Sequence, residues 1–200
     1  MPRELIAPLR FGVVEPNLYR GSYPRPHNIR FLERLNLKTI LSVTPEGFAP
    51  GDPIYEFAQK NGIELVHIEC AGAQSKSKKK RGVPLSYSVA IRAVEYMINA
   101  DYAPMYVHCL NGSQVTCLIV ACLRKLSFWS MAAIVDEFLR HSEHEAADQS
   151  FVQDFRAEIA VPKNAAPWMW KGLSRMGVVK NHPTLKIHED DVKHSLAEST

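Results

Sequence analysis

No apolar stretch in this 200-residue chain is long enough to cross a bilayer. The longest, residues 117–123 and 131–135, fall far short of the ~20 residues that a spanning helix needs. The opening Met1-Pro2-Arg3-Glu4 has no apolar core of a secretory signal, so a cytoplasmic protein with no membrane partner is the expectation. Cysteine is sparse. Cys70, Cys109, Cys117 and Cys122 are spaced in no zinc pattern, and without a signal a disulfide framework is not expected. Neither a metal nor any other cofactor is expected. Net charge is also small, +3 from 24 basic and 21 acidic residues. Lys76, Lys78, Lys79, Lys80 and Arg81 supply +5, which leaves −2 for the rest (3 − 5). The basicity belongs to one segment, and a generally basic nucleic-acid-binding surface is excluded.

What is present is globular: 46% hydrophobic and 22% charged residues, near average usage. Such a chain buries about 70% of its unfolded surface in one domain and needs no covalent staple. Residues 12–21 read as two short strands around Pro16-Asn17. Pro26 opens a short helix to Leu35. Residues 39–43 form a buried strand. Asp52-Pro53 cap a helix to Asn61, and Gly62 stops it. Residues 63–68 are a further strand, and a loop over 70–83 carries the lysine run. Pro84 opens a helix to about Asn99 with Val89, Ala93, Tyr96 and Met97 as its core stripe. Residues 105–108 are a short strand. Helices follow over 116–126, from the Ser130 cap to Arg140, and from Asp148. Trp129, Trp168 and Trp170 read as packing anchors. From Asn181 onward the chain is polar, and a disordered tail over 181–200, dispensable for folding, is expected. Strands alternating with helices predict an α/β domain with a largely parallel sheet.

The stretch that carries chemistry is Tyr106-Val107-His108-Cys109-Leu110-Asn111-Gly112-Ser113-Gln114-Val115-Thr116. A hydrophobic strand feeds a tight loop, and the loop feeds a helix. Successive backbone N–H groups and a helix N-terminus then surround one point, which makes an anion cradle. A cysteine at its mouth gains thiolate character. Gly112 allows close backbone approach, and Thr116 is placed to hydrogen-bond the thiolate. Read alone, a cysteine after a strand is more often a small buried hydrophobe.

The stretch resembles the signature loop of cysteine-dependent phosphatases: His-Cys, five residues, Arg, then Ser or Thr. Residues 16–26 (PNLYRGSYPRP) resemble the opening of the plant and fungal atypical dual-specificity phosphatases. Phe31-Leu32, residues 35–40, Pro45-Glu46, residues 122–126, Trp129-Ser130, residues 136–138 and Asp148-Gln149 extend the match over about 8–160. Within that family the chain is most similar to the fungal oxidant-induced cell-cycle arrest subgroup. The resemblance implies a small dual-specificity-phosphatase-like α/β fold, a central mostly parallel sheet flanked by helices, over 8–160. A packing segment over 161–180 follows it. It implies Cys109 as phosphocysteine nucleophile, a loop made by Leu110, Asn111, Gly112, Ser113, Gln114, Val115 and Thr116, and His108 as a structural partner of the loop rather than a base. It also implies phosphotyrosine or inositol pyrophosphate as ligand class, and association with related phosphatase-like subunits.

The departures from that pattern are specific. The family's arginine, a fork for two phosphate oxygens, is here Val115. Loop positions that are often Arg, Lys and His are Asn111, Ser113 and Gln114. No cation lies in residues 109–116, and no Asp or Glu lies between Glu69 and Glu95, where the family keeps its general acid. The position nearest that acid is Ala71, and Glu69 reads as a strand-end residue. The nucleophile is kept while clamp and acid are lost, which predicts a pseudophosphatase that works by binding. Two alternatives stay open: a genuine phosphatase, and a redox-responsive thiol protein; a disulfide between Cys70 and Cys109 is not expected, since their separation cannot be read from sequence. Lys76, Lys78, Lys79, Lys80 and Arg81 are candidate anion-binding residues over the pocket mouth, or otherwise a solvated loop.

Overall fold

The computed structural model describes residues 4–70, 83–142 and 146–189, the side chains of 146, 147 and 189 excepted. Its strands are β1 (Gly12–Glu15), β2 (Leu18–Ser22), β3 (Thr39–Thr44), β4 (Glu64–Glu69), β5 (Met105–Cys109), β6 (Glu158–Val161) and β7 (Lys186–Glu189). Its α-helices are α1 (Ile29–Leu32), α2 (Pro53–Asn61), α3 (Tyr87–Met97), α4 (Gln114–Leu126), α5 (Met131–Leu139), α6 (Ala146–Asp154) and α7 (Arg175–Asn181).

Five strands form one sheet in the order β1-β2-β5-β3-β4. Only the β1–β2 hairpin is antiparallel; β2–β5, β5–β3 and β3–β4 are parallel. Side chains alternate across the sheet, as a strand dictates. Ile40 and Tyr106 face one core with Leu32, Ile54 and Phe57 of α1 and α2. Leu41, Val43, Val66, Ile68 and Val107 face the other, with α3, α4 and the C-terminal elements. Apolar residues on both faces of β3 and β5 fit a parallel sheet covered on each side.

Helix ends follow local chemistry. Asp52 Oδ1 accepts from the Ile54 N–H at 2.8 Å, with Pro53 at the first helical position, and Gly62 closes α2 at φ 64°. Ser130 caps α5 by accepting from the Ala133 N–H. Three expectations shift. The stretch 26–35 is not one helix: 3-10 turns at Pro26–Asn28 and Glu33–Leu35 flank a single α turn. At the start the Asn28 side chain accepts from Arg25 N–H and donates to the Ile6 carbonyl. Helix α3 starts from the Ser86 cap rather than Pro84. Helix α4 starts at Gln114, not Thr116, because the Ser113 carbonyl already accepts from Cys117 N–H at 2.8 Å.

The C-terminal expectation is corrected. Residues 181–189 are no loose tail, for β7 pairs in parallel with β6, and Leu185 and Ile187 are buried. A boundary at 160 also cuts through β6, whose Ile159 and Val161 are fully buried. Trp170 donates from Nε1 to the Leu126 carbonyl at 2.9 Å, which ties this segment to the end of α4. Periodicity missed it because each piece is short and its apolar residues alternate over only three or four positions. Residues 190–200 lie outside the described chain. Among the described residues no helix is long and apolar enough to cross a membrane.

Candidate active site

Strand β5 lies between β2 and β3, and its last residue is Cys109. The loop then turns at Gly112 (φ 67°) and enters α4. Glycine is required there. A Cβ at 112 would stand 2.5 Å from the Gly21 carbonyl carbon and 2.6 Å from Ser22 N, a contact no side chain survives. The hairpin β1–β2 thus backs directly onto the loop.

Three successive loop carbonyls are held from outside. Leu110 O accepts from Tyr23 N–H at 3.3 Å. Asn111 O accepts from Arg10 Nη1 at 3.1 Å, and Gly112 O from Arg20 Nη2 at 3.1 Å. In a trans peptide the C=O and the N–H of the same unit point opposite ways. The N–H groups of Asn111, Gly112 and Ser113 therefore turn away from these anchors. These anchors fix the loop backbone without any cation in residues 109–116.

Arg20 is 2% exposed, and its Nη2 also lies 2.9 Å from Cys117 Sγ. Burial raises the Cys117 thiol pKa, with Arg20 opposing. Neither arginine was expected to act here. Arg20 sits in the PNLYRGSYPRP stretch, but strand periodicity alone gives no sign that residue 20 points beneath a loop ninety residues away. Among the described residues two arginines reach the Cys109 loop, and both meet its carbonyls.

Cys109 is 4% exposed. Its thiol donates to Asn111 Oδ1 at 3.6 Å, and the same oxygen accepts from Ser113 N–H at 3.0 Å. The expected bond from Thr116 to the sulfur is not formed: Thr116 Oγ1 is buried without a hydrogen-bond partner. His108 is fully buried, with Nδ1 3.4 Å from the Cys109 carbonyl. It packs among Tyr23, Tyr106 and Phe48. Desolvation lowers its pKa to about 4, so the ring is neutral at physiological pH. Its packing supports a structural role.

A pocket of ≈ 180 Å³ opens at the sulfur, lined by Val43, Pro45, Cys70, Pro84, Cys109 and four loop residues: Leu110, Asn111, Gln114 and Val115. Val115 is part of the pocket wall. Gln114 is fixed by donating from Nε2 to Asp148 Oδ1 at 2.8 Å, and Ser113 Oγ meets Ser142 Oγ at 2.7 Å. Asp148 is a buried carboxylate behind that wall; the sequence reading placed it at the start of a helix and in the family match, with no role at the pocket. Glu69 ends β4 and is exposed.

Cys70 shares the pocket, with its thiol directed to the Pro84 carbonyl at 3.1 Å. It does not pair with Cys109; no disulfide joins any of the four cysteines. Ser42 pairs with His108 and Thr44 with Glu69, so the two cysteines are two strands apart and two residues out of level. That puts their Cα atoms roughly 12 Å apart, beyond the ~7 Å limit for a bridge without backbone movement. A bridge between Cys70 and Cys109 would therefore need the backbone to move. Ala71, Lys76, Lys78, Lys79, Lys80 and Arg81 lie outside the described residues. Among those described, no three His, Cys, Asp or Glu side chains cluster to hold a metal.

A mostly parallel sheet whose central strand delivers a cysteine to a tight loop at a helix N-terminus is the layout of a cysteine-phosphatase fold. The sequence model of the tyrosine phosphatase family matches residues 5–174, and the chain belongs to that family. It is 40% identical over 96% of its length to OCA6 of Saccharomyces cerevisiae, a provisionally named tyrosine-protein phosphatase, covering 92% of that protein. To the inositol diphosphatase SIW14 of the same yeast it is 33% identical over 84% of its length and 60% of that longer protein. The crystal structure of the SIW14 catalytic core with citrate superposes with TM-score 0.65 at 31% identity, covering 75% of this chain and 87% of that one.

Proposed function

We propose that this chain is a pseudophosphatase: it binds a phosphorylated or polyanionic ligand at the Cys109 loop and does not turn it over. The observation that carries this reading is Val115 in the pocket wall, with Arg10 and Arg20 donating to loop carbonyls. A phosphoryl group in the pocket needs a forked cation to hold its oxygens and to stabilise transferring charge. Losing one such donor costs about 10²–10³ in rate. The protonation of a leaving oxygen also lacks a carboxylate between Glu69 and Glu95. Inositol pyrophosphates are the ligand class suggested by the SIW14 relative. The run 76–81 is the proposed electrostatic attractor, with a steep salt dependence. Association with related phosphatase-like chains in the cytoplasm belongs to the same reading.

The test is hydrolysis of p-nitrophenyl phosphate, phosphotyrosine peptides and an inositol pyrophosphate, with Cys109→Ser as the control. The expected result is no turnover above that control. Robust Cys109-dependent hydrolysis overturns the reading. It would establish the second one, a cysteine-dependent phosphatase acting through phosphocysteine, which the retained Cys109 on a donor-lined loop supports. Trapping of phosphocysteine in a single turnover separates the two directly.

A further inference from the structure

We propose that Asn111 is a built-in occupant of the anion cradle: its amide oxygen fills a position that a ligand oxyanion must take, and binding requires the side chain to leave. The inference rests on the reading of this loop as an oxyanion site. It adds a residue that decides whether the site is open.

The geometry is specific. The Gly112 carbonyl is held by Arg20, which sends the N–H of Ser113, in the same peptide unit, to the other side. There it meets Asn111 Oδ1 at 3.0 Å. The Cys109 thiol donates to the same oxygen at 3.6 Å. One neutral oxygen thus takes the loop donor and the nucleophile's proton together. A phosphoryl oxygen approaching the sulfur needs that donor and finds it taken. The same oxygen also lies against the sulfur that an alkylating reagent must reach. The Asn111 side chain is exposed, so it has room to swing outward, and Arg10 anchors its backbone carbonyl independently. Removing the amide therefore leaves the frame of the cradle in place.

A plain turn-forming role for Asn111 gives the opposite expectation: its loss would loosen the loop and weaken anion binding. The experiment compares the full-length native protein, Asn111→Ala and Asn111→Asp by calorimetric titration with tungstate and by the rate of Cys109 alkylation with iodoacetamide. Asn111→Ala is expected to bind tungstate about tenfold more tightly and to alkylate faster. Asn111→Asp, which keeps an oxygen in place and adds negative charge, is expected to lose tungstate binding. If Asn111→Ala does not fold, Asn111→Gly carries the same comparison. Equal or weaker tungstate affinity in the amide-deleted protein, undetectable binding in both included, overturns the proposal. Turnover tests a different claim: hydrolysis by the native protein would overturn the pseudophosphatase reading, whereas an unchanged Asn111→Ala would overturn only the role of Asn111.

Discussion

The two ends of α4 are both held by a buried arginine, in opposite ways. At the C-terminal end Arg124 makes a fork to Glu137, with Nε–Oε2 2.8 Å and Nη2–Oε1 2.9 Å. It also pairs with Glu15, donates to the Val14 carbonyl at 2.8 Å, and lies 4.2 Å from the Trp129 ring centre. Its charge is met by two carboxylates. At the N-terminal end Arg20 meets, among the described residues, a carbonyl and a sulfur. The first arrangement fixes hairpin, α4 and α5 to each other. The second supports a loop with neutral acceptors and leaves positive charge beside it. Architecture is concentrated at one end and the site at the other. A substitution at the site end is therefore expected to leave the fold in place.

The sharpest way to break this comparison is at Arg124. Arg124→Met should strand Glu15 and Glu137 in a partly buried setting and cost about 3–5 kcal/mol, read by urea unfolding. Arg124→Lys, which keeps charge but loses the fork, should recover only part of it. A loss within experimental error would show that the C-terminal end is not the architectural one.

Next in size is the pH response of the N-terminal end. His108 has an ordinary pKa of 6.5 when unfolded and about 4 when folded. Below pH 6.5 the unfolded chain takes up a proton that the folded chain refuses. Stability should thus be full above pH 6.5 and fall by about 3 kcal/mol as pH drops toward 4. His108→Asn should flatten this window in unfolding curves taken at successive pH values. An unchanged slope removes His108 as the cause.

A somewhat smaller effect is expected from ending the chain after Asn181. That deletes β7 and the buried Leu185 and Ile187, worth about 2–4 kcal/mol after relaxation. It should lower the urea midpoint without altering tungstate binding at the other end of α4. The smallest effect is a gain. Val115→Arg should tighten tungstate binding by about tenfold and restore little hydrolysis, since no Asp or Glu lies between Glu69 and Glu95. Full phosphatase activity from this one change would show that the acid is supplied elsewhere.

The sequence made the sheet, the Asp52 and Ser130 caps and the loop at Cys109 legible, because each is written in contiguous residues with a period or a cap. The supports of the site were not legible for the converse reason. Arg10, Arg20 and Tyr23 reach the loop across roughly ninety to a hundred positions of chain, and only the pairing of β2 with β5 brings them there. Asn111 and Val115 were visible as departures from a motif. What Asn111 does with its oxygen depends on a turn that no periodicity encodes. The β6–β7 pair was missed because two four-residue strands separated by 24 residues carry too few alternations to stand out.

The meeting of Gly112 with the Gly21–Ser22 backbone has a consequence for reading other sequences. A side chain at 112 collides with main chain, and one at 21 would stand 2.2 Å from the buried Tyr106 hydroxyl, which itself donates to the Ser22 carbonyl. Both positions are closed by packing whether or not a phosphate is ever cleaved. A pattern search that scores the glycine of the signature loop as a mark of catalysis is scoring the fit of two strands of backbone. Enzymes and their inert cousins will pass it equally, and only the positions that face the sulfur can tell them apart.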